Sequence, residues 1–279
     1  MVRDDITAVH ELMVRTFTDL DRRLGAKYAG PQPQLAQGLV RFGRVLGTDP
    51  DGSWIAERDG RVVGCASAIL REGVWGLSMF VVDPGVQGEG IGRELLRRAA
   101  AYGDGARGRI ILASRDSRAI ALYARLGLDM APSVSALGTP RGVQAGDVRL
   151  GGPDDLPLTE AVDRAVRGAA HGGDILAMIE GGGELLVAPG RGYAVRLGGT
   201  VRLLAAFDEP GGAEVLRGAL ARVAELGESA NVEWITAHQG WAVPVCLDAG
   251  LQFSANAGPV FTGGDVGPFR PYLPSGSYL

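Results

Sequence analysis

The stretch that most constrains this chain runs from Val81 to Arg93, where an apolar strand passes through a glycine-rich turn into an amphipathic helix. Trp75 to Val82 is almost wholly apolar, and Asp83-Pro84 ends it. Beyond the turn, Ile91, Leu95, Leu96 and Ala99 recur on one helical face. Gly88, Gly90 and Gly92 keep side chains clear of the turn, so several backbone N–H groups can converge at a helix N-terminus. The macrodipole adds positive potential there, which makes the feature a phosphate site. A single contact of this kind contributes only about 0.3–2 kcal/mol, so a ligand must be held by several donors at once.

Two familiar phosphate motifs do not fit. A dinucleotide fingerprint, G-x-G-x-x-G, would need a third glycine where Arg93 stands, and no Gly-Lys-Ser/Thr of a P-loop is near. The spacing that does fit is Gln-x-x-Gly-x-Gly, filled by Gln87, Gly90 and Gly92. A second pattern follows at Asp116 to Leu128, DSRAIALYARLGL. Together these resemble the GNAT superfamily of acyl-CoA-dependent N-acyltransferases over about residues 1–140. The second pattern matches Asn-x-x-Ala-x-x-Leu-Tyr-x-x-x-Gly-Phe, with Asp116 in place of Asn and Leu128 in place of Phe.

The resemblance implies an acetyl-CoA co-substrate and no metal. It implies that Gln87, Gly88, Glu89, Gly90, Ile91, Gly92 and Arg93 wrap the pyrophosphate, with Arg97 or Arg98 reaching an outer phosphate. Phe80, Val81 and Val82 would line the coenzyme where their strand parts from its neighbour, and a backbone N–H there would polarise the thioester carbonyl. Asp116 belongs to the same coenzyme-binding set, although its place at the start of a helix favours a capping role. Tyr123 takes the role of general acid for the departing thiolate; a free phenol, with a pKa near 10, is suited to that proton. The general base stays open among Glu72, Glu57 and Asp116 acting through water.

Taken in order, residues 5–24 read as an amphipathic helix on Ile6, Val9, Met13, Phe17, Leu20 and Leu24, with Asp4 or Asp5 as its cap. A looser segment holding Pro31 and Pro33 precedes a short helix over 35–46. Strands follow at 53–57, 62–70 and 74–82, the first two joined by the hairpin signal Asp59-Gly60. After the loop and its helix come a buried strand at 109–113 and a helix over 117–126 closed by Gly127. The family begins with a strand before its first helix, for which only residues 1–3 are available here.

The chain also carries an internal repeat. A shift of 123 lays Val232–Ala237 over Arg109–Ser114, Gln239–Ala242 over Asp116–Ala119, and Ala249-Gly250-Leu251 over Leu126-Gly127-Leu128. Upstream, Val201 to Phe207 mirrors the strand that ends at Asp83. The fold class expected is α+β: two GNAT-like domains, each a mixed, mostly antiparallel twisted sheet flanked by helices. The division falls at 1–145, a catalytic domain, and 146–279, a degenerate copy. In that copy Gly211-Gly212-Ala213 replaces the phosphate loop, and Cys246, read as a small buried residue, stands where Tyr123 does.

Composition narrows the partners. At 279 residues and 46% hydrophobic, the chain can build two packed cores, yet no apolar run nears the ~20 residues of a membrane span. The net charge of −4 argues against nucleic acid. Residues 1–148 hold 19 basic and 17 acidic side chains and the remainder 9 and 15, a balance that suits a cationic small-molecule amine acceptor or simply reflects unequal solvated surfaces. Cys65 and Cys246 have no metal or redox spacing, and the three histidines have no ligand spacing. The start is unlike a signal peptide, so a cytoplasmic protein is expected. The use of arginine for all basic residues but Lys27 hints at a GC-rich bacterial genome. The last twelve residues, with three aromatics and three prolines, are too apolar for a solvated end and should dock, at the junction of the two halves. A non-catalytic acyl-CoA-binding module and a protein N-terminal or lysine acyltransferase are the alternatives; oligomeric state is left open.

Overall fold

A computed structural model describes residues 1–25 and 34–279; Pro31 and Pro33, read as a loose connection, lie outside the described residues. Two compact units result, one formed by Met1–Leu70 and Trp75–Ala106, the other by Arg71–Val74 and Arg107–Leu279. Helices and strands are interspersed, with eight helices and fourteen strands among the described residues, as expected of an α+β chain of two GNAT-like folds.

The first unit opens with a 3-10 turn at Arg3–Asp5 instead of a strand, and α1 (Ile6–Arg23) follows directly. The Asp5 carboxylate accepts from the Val2 amide at 2.6 Å, which closes this turn. Helix α1 buries Ile6, Val9, Leu12, Met13 and Leu20, whereas Phe17 and Leu24 stay largely exposed because they fall on the flank of the 3.6-residue stripe. It packs on α2 (Leu35–Thr48) and on the strands through Phe42, Cys65, Met79 and Val81. Strands β1 (Ser53–Arg58) and β2 (Arg61–Arg71) are antiparallel, and Asp59 and Gly60 both take positive φ in the hairpin turn. Strand β3 (Val74–Val82) follows β2, and α3 (Ile91–Ala101) buries Leu95, Leu96, Ala99 and Ala100.

In the second unit, β4 (Gly108–Leu112) leads to α4 (Ser117–Ala124). Two strands, β5 (Asp129–Ala131) and β6 (Val134–Gly138), come next, then β7 (Arg149–Leu150). Helices α5 (Leu156–Val166) and α6 (Gly173–Glu180) precede the meander β8 (Glu184–Ala188), β9 (Gly192–Leu197) and β10 (Thr200–Ala206). Helix α7 (Glu209–Glu225), β11 (Ala230–Ile235) and α8 (Ala242–Asp248) follow, and β12 (Gln252–Ser254), β13 (Val260–Gly264) and β14 (Tyr272–Leu273) finish the chain.

The pairing of these strands departs from simple tandem order. Strand β13, from the far end of the chain, lies antiparallel between β4 and β5, with Phe261 opposite Ile111 on one side and Met130 on the other. In the converse exchange, β6 lies between β11 and β12. Each repeat in the sequence therefore takes a late strand of the other into its sheet. Beyond β11 the sheet continues as β10-β9-β8-β7. Its two faces are both covered: α7 buries Ala194, Val201 and Leu204 on one side, while α5 packs on β9 and β10 from the other.

Strands β10 and β11 pair in parallel only at Thr200↔Asn231 and Val201↔Val232. Further along, β14 takes over the edge of β10, with Leu204 opposite Leu273 and Ala205 opposite Tyr272. The tail is thus an ordered strand within the second unit, and Tyr272, Leu273, Tyr278 and Leu279 are buried. His171 lies beside it: its Nδ1 contacts the Asp163 carboxylate at 2.8 Å and its Nε2 lies 2.9 Å from the Leu279 backbone oxygen.

Candidate coenzyme and acyl-transfer site

The residues expected to carry the site fall at two places, the turn after β3 in the first unit and the helix after β4 in the second, and each is described by itself. At the first, Asp83 ends the strand: its amide donates to Val63 O at 2.8 Å, and its Oδ1 accepts from the Gly85 amide at 2.9 Å. That bond caps the 3-10 turn Pro84–Val86. Arg15 of α1 donates to the same carboxylate through Nε and Nη2, at 3.1 and 2.8 Å. Burial alone would raise the Asp83 pKa, but the Gly85 amide and Arg15 outweigh it and lower the value. Sequence reasoning missed Arg15, because nothing in a helical pattern says which turn an exposed arginine will reach. Arg15, Thr18, Asp19, Arg22, Asp83 and Pro84 line an open depression of about 450 Å³ beside the start of the loop.

Beyond the 3-10 turn, Gln87 folds back and donates through Nε2 to the Val82 carbonyl at 2.8 Å, tying the loop to the end of its strand. Gly88 and Gly90 take φ of +93° and +91°, a region that side-chain-bearing residues rarely occupy. A Cβ at either would meet nothing within 4 Å, so the glycines serve the backbone path and leave open space above it. Gly90 is the N-cap of α3, and the first amide of the helix bonded within it is Glu94 N, at 3.2 Å from Gly90 O. The amides of Ile91, Gly92 and Arg93 precede it and have no intrahelical acceptor. Such a row, at the positive end of an eleven-residue helix, is what a pyrophosphate requires.

The other residues of this group are placed as follows. Val81 and Val82 are buried and Phe80 half-buried, while Glu89 and Arg93 are exposed. Glu89 is ion-paired with Arg58 of β1, which lowers its carboxyl pKa. Arg97 and Arg98 both donate to Glu94, at 2.7 and 2.8 Å, and these bonds pull the Glu94 carboxyl down to about 2. Either arginine must leave Glu94 to reach a phosphate.

At the second place, Asp116 is the N-cap of α4, and its Oδ1 accepts from the Arg118 amide at 2.9 Å. The Arg118 guanidinium pairs with it at 2.8 Å. The acid at this position is therefore a neutralised cap, as its place in the sequence favoured. Tyr123 lies seven residues on and is 5% exposed. Burial, followed by the Asp116 charge, raises the phenol pKa above its ordinary 10, so the ring keeps its proton more firmly than a free phenol. Phe261 of β13 packs against it edge to face, with ring centroids 5.7 Å apart and planes at 75°. Sequence reasoning missed Phe261 as well, because strand exchange brings it from 138 positions away.

Two other expectations are settled locally. Glu72 is held by Arg164 at 2.7 Å and by the Ala170 amide, and the arginine bond lowers its pKa, which leaves it a poor base. Cys246 is fully buried in the apolar cluster under α7 and α8, and burial pushes its thiol up to about 12. Among the described residues no helix is long and apolar enough to cross a membrane.

Comparison with known proteins adds the family. Residues 7–128 match the model of the acetyltransferase (GNAT) family. No curated protein sequence matches the chain significantly. Among solved structures, a Pyrococcus horikoshii protein described as an acetyltransferase superposes with a TM-score of 0.78 at 16% identity, over 100% of this chain and 94% of that one. A tandem GNAT protein from the clavulanic acid biosynthesis pathway gives 0.55 at 15% identity, over 95% and 97%. A GCN5-related N-acetyltransferase from Kribbella flavida gives 0.52 at 17%, over 95% and 70%. At these identities the structures establish the fold, and the family model matches within the first half of the chain. Residues 7–128 thus match the acetyltransferase (GNAT) family model, in a chain whose fold resembles that of these solved acetyltransferases along its whole length.

Proposed function

We propose that the chain is an acetyl-CoA-dependent N-acetyltransferase that acts on a primary amine of a small molecule by direct attack, and that it uses one coenzyme site per chain. The observation that carries this reading is the turn after β3. Two left-handed glycines open onto the first-turn amides of α3, and the turn is braced from below by Asp83, Arg15 and Gln87.

In this reading Gln87 to Arg93 bind the pyrophosphate through backbone amides, and Phe80 to Val82 line the acyl arm, with a backbone N–H of that strand held toward the thioester oxygen. Asp116 sets the axis of α4 as its cap. The amine lone pair forms the new C–N bond and the C–S bond breaks. Tyr123 gives its proton to the departing sulfur, and the proton shed by the amine goes to water or to a carboxylate. Glu57 remains for that last role, since Asp116 is engaged by Arg118, and close approach of the two substrates supplies much of the rate without a dedicated base.

The second repeat, 146–279, is read as a degenerate copy without a coenzyme. Only Phe207 and Asp208 connect β10 to α7, where the first repeat has a full glycine loop. The Asp208 carboxylate itself accepts from the Gly211 amide at 2.6 Å, so a fixed negative charge already sits at that helix N-terminus. Strand β14 also lies along the edge of β10 where it leaves β11. A thiol-release assay with acetyl-CoA and a broad amine panel tests the reading. Thiol release that depends on one class of amine is expected; acetyl-CoA binding with no turnover on any amine, peptides included, would favour a non-catalytic acyl-CoA-binding module.

A further inference from the structure

Strand exchange gives the far end of the chain a part in the chemistry of the first repeat. Tyr123 is the buried residue of α4, and Phe261 packs against its ring edge to face. Phe261 is wholly buried, and it is fixed on both sides by the ladders β13–β4 and β13–β5, at Ile111 and Met130. A ring held in the middle of a three-strand ladder is a rigid object. The 75° edge-to-face contact therefore restricts how far the Tyr123 ring can swing about χ1 and χ2, and so where its hydroxyl lies.

We propose that Phe261 is a positioning residue for acyl transfer, delivered by the exchanged strand of the second repeat to hold the Tyr123 phenol in line for protonating the leaving thiolate. This rests on Tyr123 as the general acid. It gives the second repeat a role in turnover that needs no ligand of its own, and it explains why the repeat can lose its phosphate loop and tyrosine without becoming dispensable.

The test is a double-mutant cycle on the full chain, with Phe261→Leu and Tyr123→Phe, read as kcat and KM for acetyl-CoA. Phe261→Leu should lower kcat by about two- to tenfold, the range of one aromatic pair, and leave the acetyl-CoA KM nearly unchanged. In the Tyr123→Phe background the same substitution should cause no further loss, because the group it positions is gone. If Phe261→Leu does not fold, Phe261→Met retains the volume and reports the same cycle. A loss that persists in full beside Tyr123→Phe, or a folded Phe261 variant with unaltered kcat, would overturn the positioning role. Full turnover in Tyr123→Phe alone would instead remove the general acid, and the positioning role with it.

Discussion

In the general-acid role proposed for Tyr123, two effects act in opposite senses. Burial and the nearby Asp116 charge raise the phenol pKa, which guarantees the proton but weakens the acid. At neutral pH a phenol holds its proton with or without this shift, so the shift acts there mainly by making the acid weaker. The phenol of the free enzyme stays protonated through pH 10, so any basic limb of kcat/KM below that pH should be the same in wild type and Tyr123→Phe. Tyr123→Phe keeps the ring and its contact with Phe261, so acetyl-CoA affinity by calorimetry should barely change while turnover falls by roughly 10²–10⁴. Equal turnover, with chemistry shown to be rate-limiting, would return Tyr123 to a packing role. The tyrosine itself was legible from its motif. Its environment was not, since burial and the partner ring depend on β13, far away in the chain.

At the level of elements, the loop and the ion-paired strands make separable predictions. Gly90 sits at φ +91°, so Gly90→Ala should cost about 1–2 kcal/mol of backbone strain and weaken acetyl-CoA by about tenfold in a titration. In β8, Glu184 is held by Arg222 and Arg196 at 3.0 and 2.8 Å, and these bonds lower its pKa to about 2. A depressed carboxyl pKa stabilises the fold above the unfolded value and loses that effect as pH falls toward the folded one. Glu184→Gln should therefore lower stability by about 1–2 kcal/mol at pH 7, after allowance for solvent screening, with the gap to wild type closing between about pH 4.5 and 2. Urea titrations at pH 7 and pH 3 check this; a gap that did not shrink would contradict it. Most elements were legible because their signals are local: the Asp59-Gly60 turn, the 3.6-residue stripe of α1, the glycine after α4. The exchange of β6 and β13 was not. A five-residue strand encodes which face is apolar but not which neighbour it will pair with, and both sheets offer a similar apolar slot.

Across the whole molecule, the two sequence repeats are tied together by those exchanged strands, while the tail docks on the second repeat itself and not at the junction of the two halves. Phe269, Tyr272, Leu273, Tyr278 and Leu279 are buried, and each contributes about 1.5–3 kcal/mol. Their sum is comparable to the ~5–15 kcal/mol of a typical domain, so deleting 268–279 should unfold the second unit, visible as a lost cooperative melt. The tail was legible as a docking segment from its aromatics, but its strand pairing with β10 was not, since two residues of ladder leave no periodic pattern. The central claim is that one repeat binds acetyl-CoA through the glycine loop while the other, capped by its own Asp208, does not. Calorimetric titration of the full chain with acetyl-CoA tests it most directly, in wild type and in Gly90→Asp, which places a carboxylate in the anion site. One coenzyme per chain, with all binding lost in Gly90→Asp, is predicted; two sites per chain, or unchanged affinity in a folded Gly90→Asp, would contradict it.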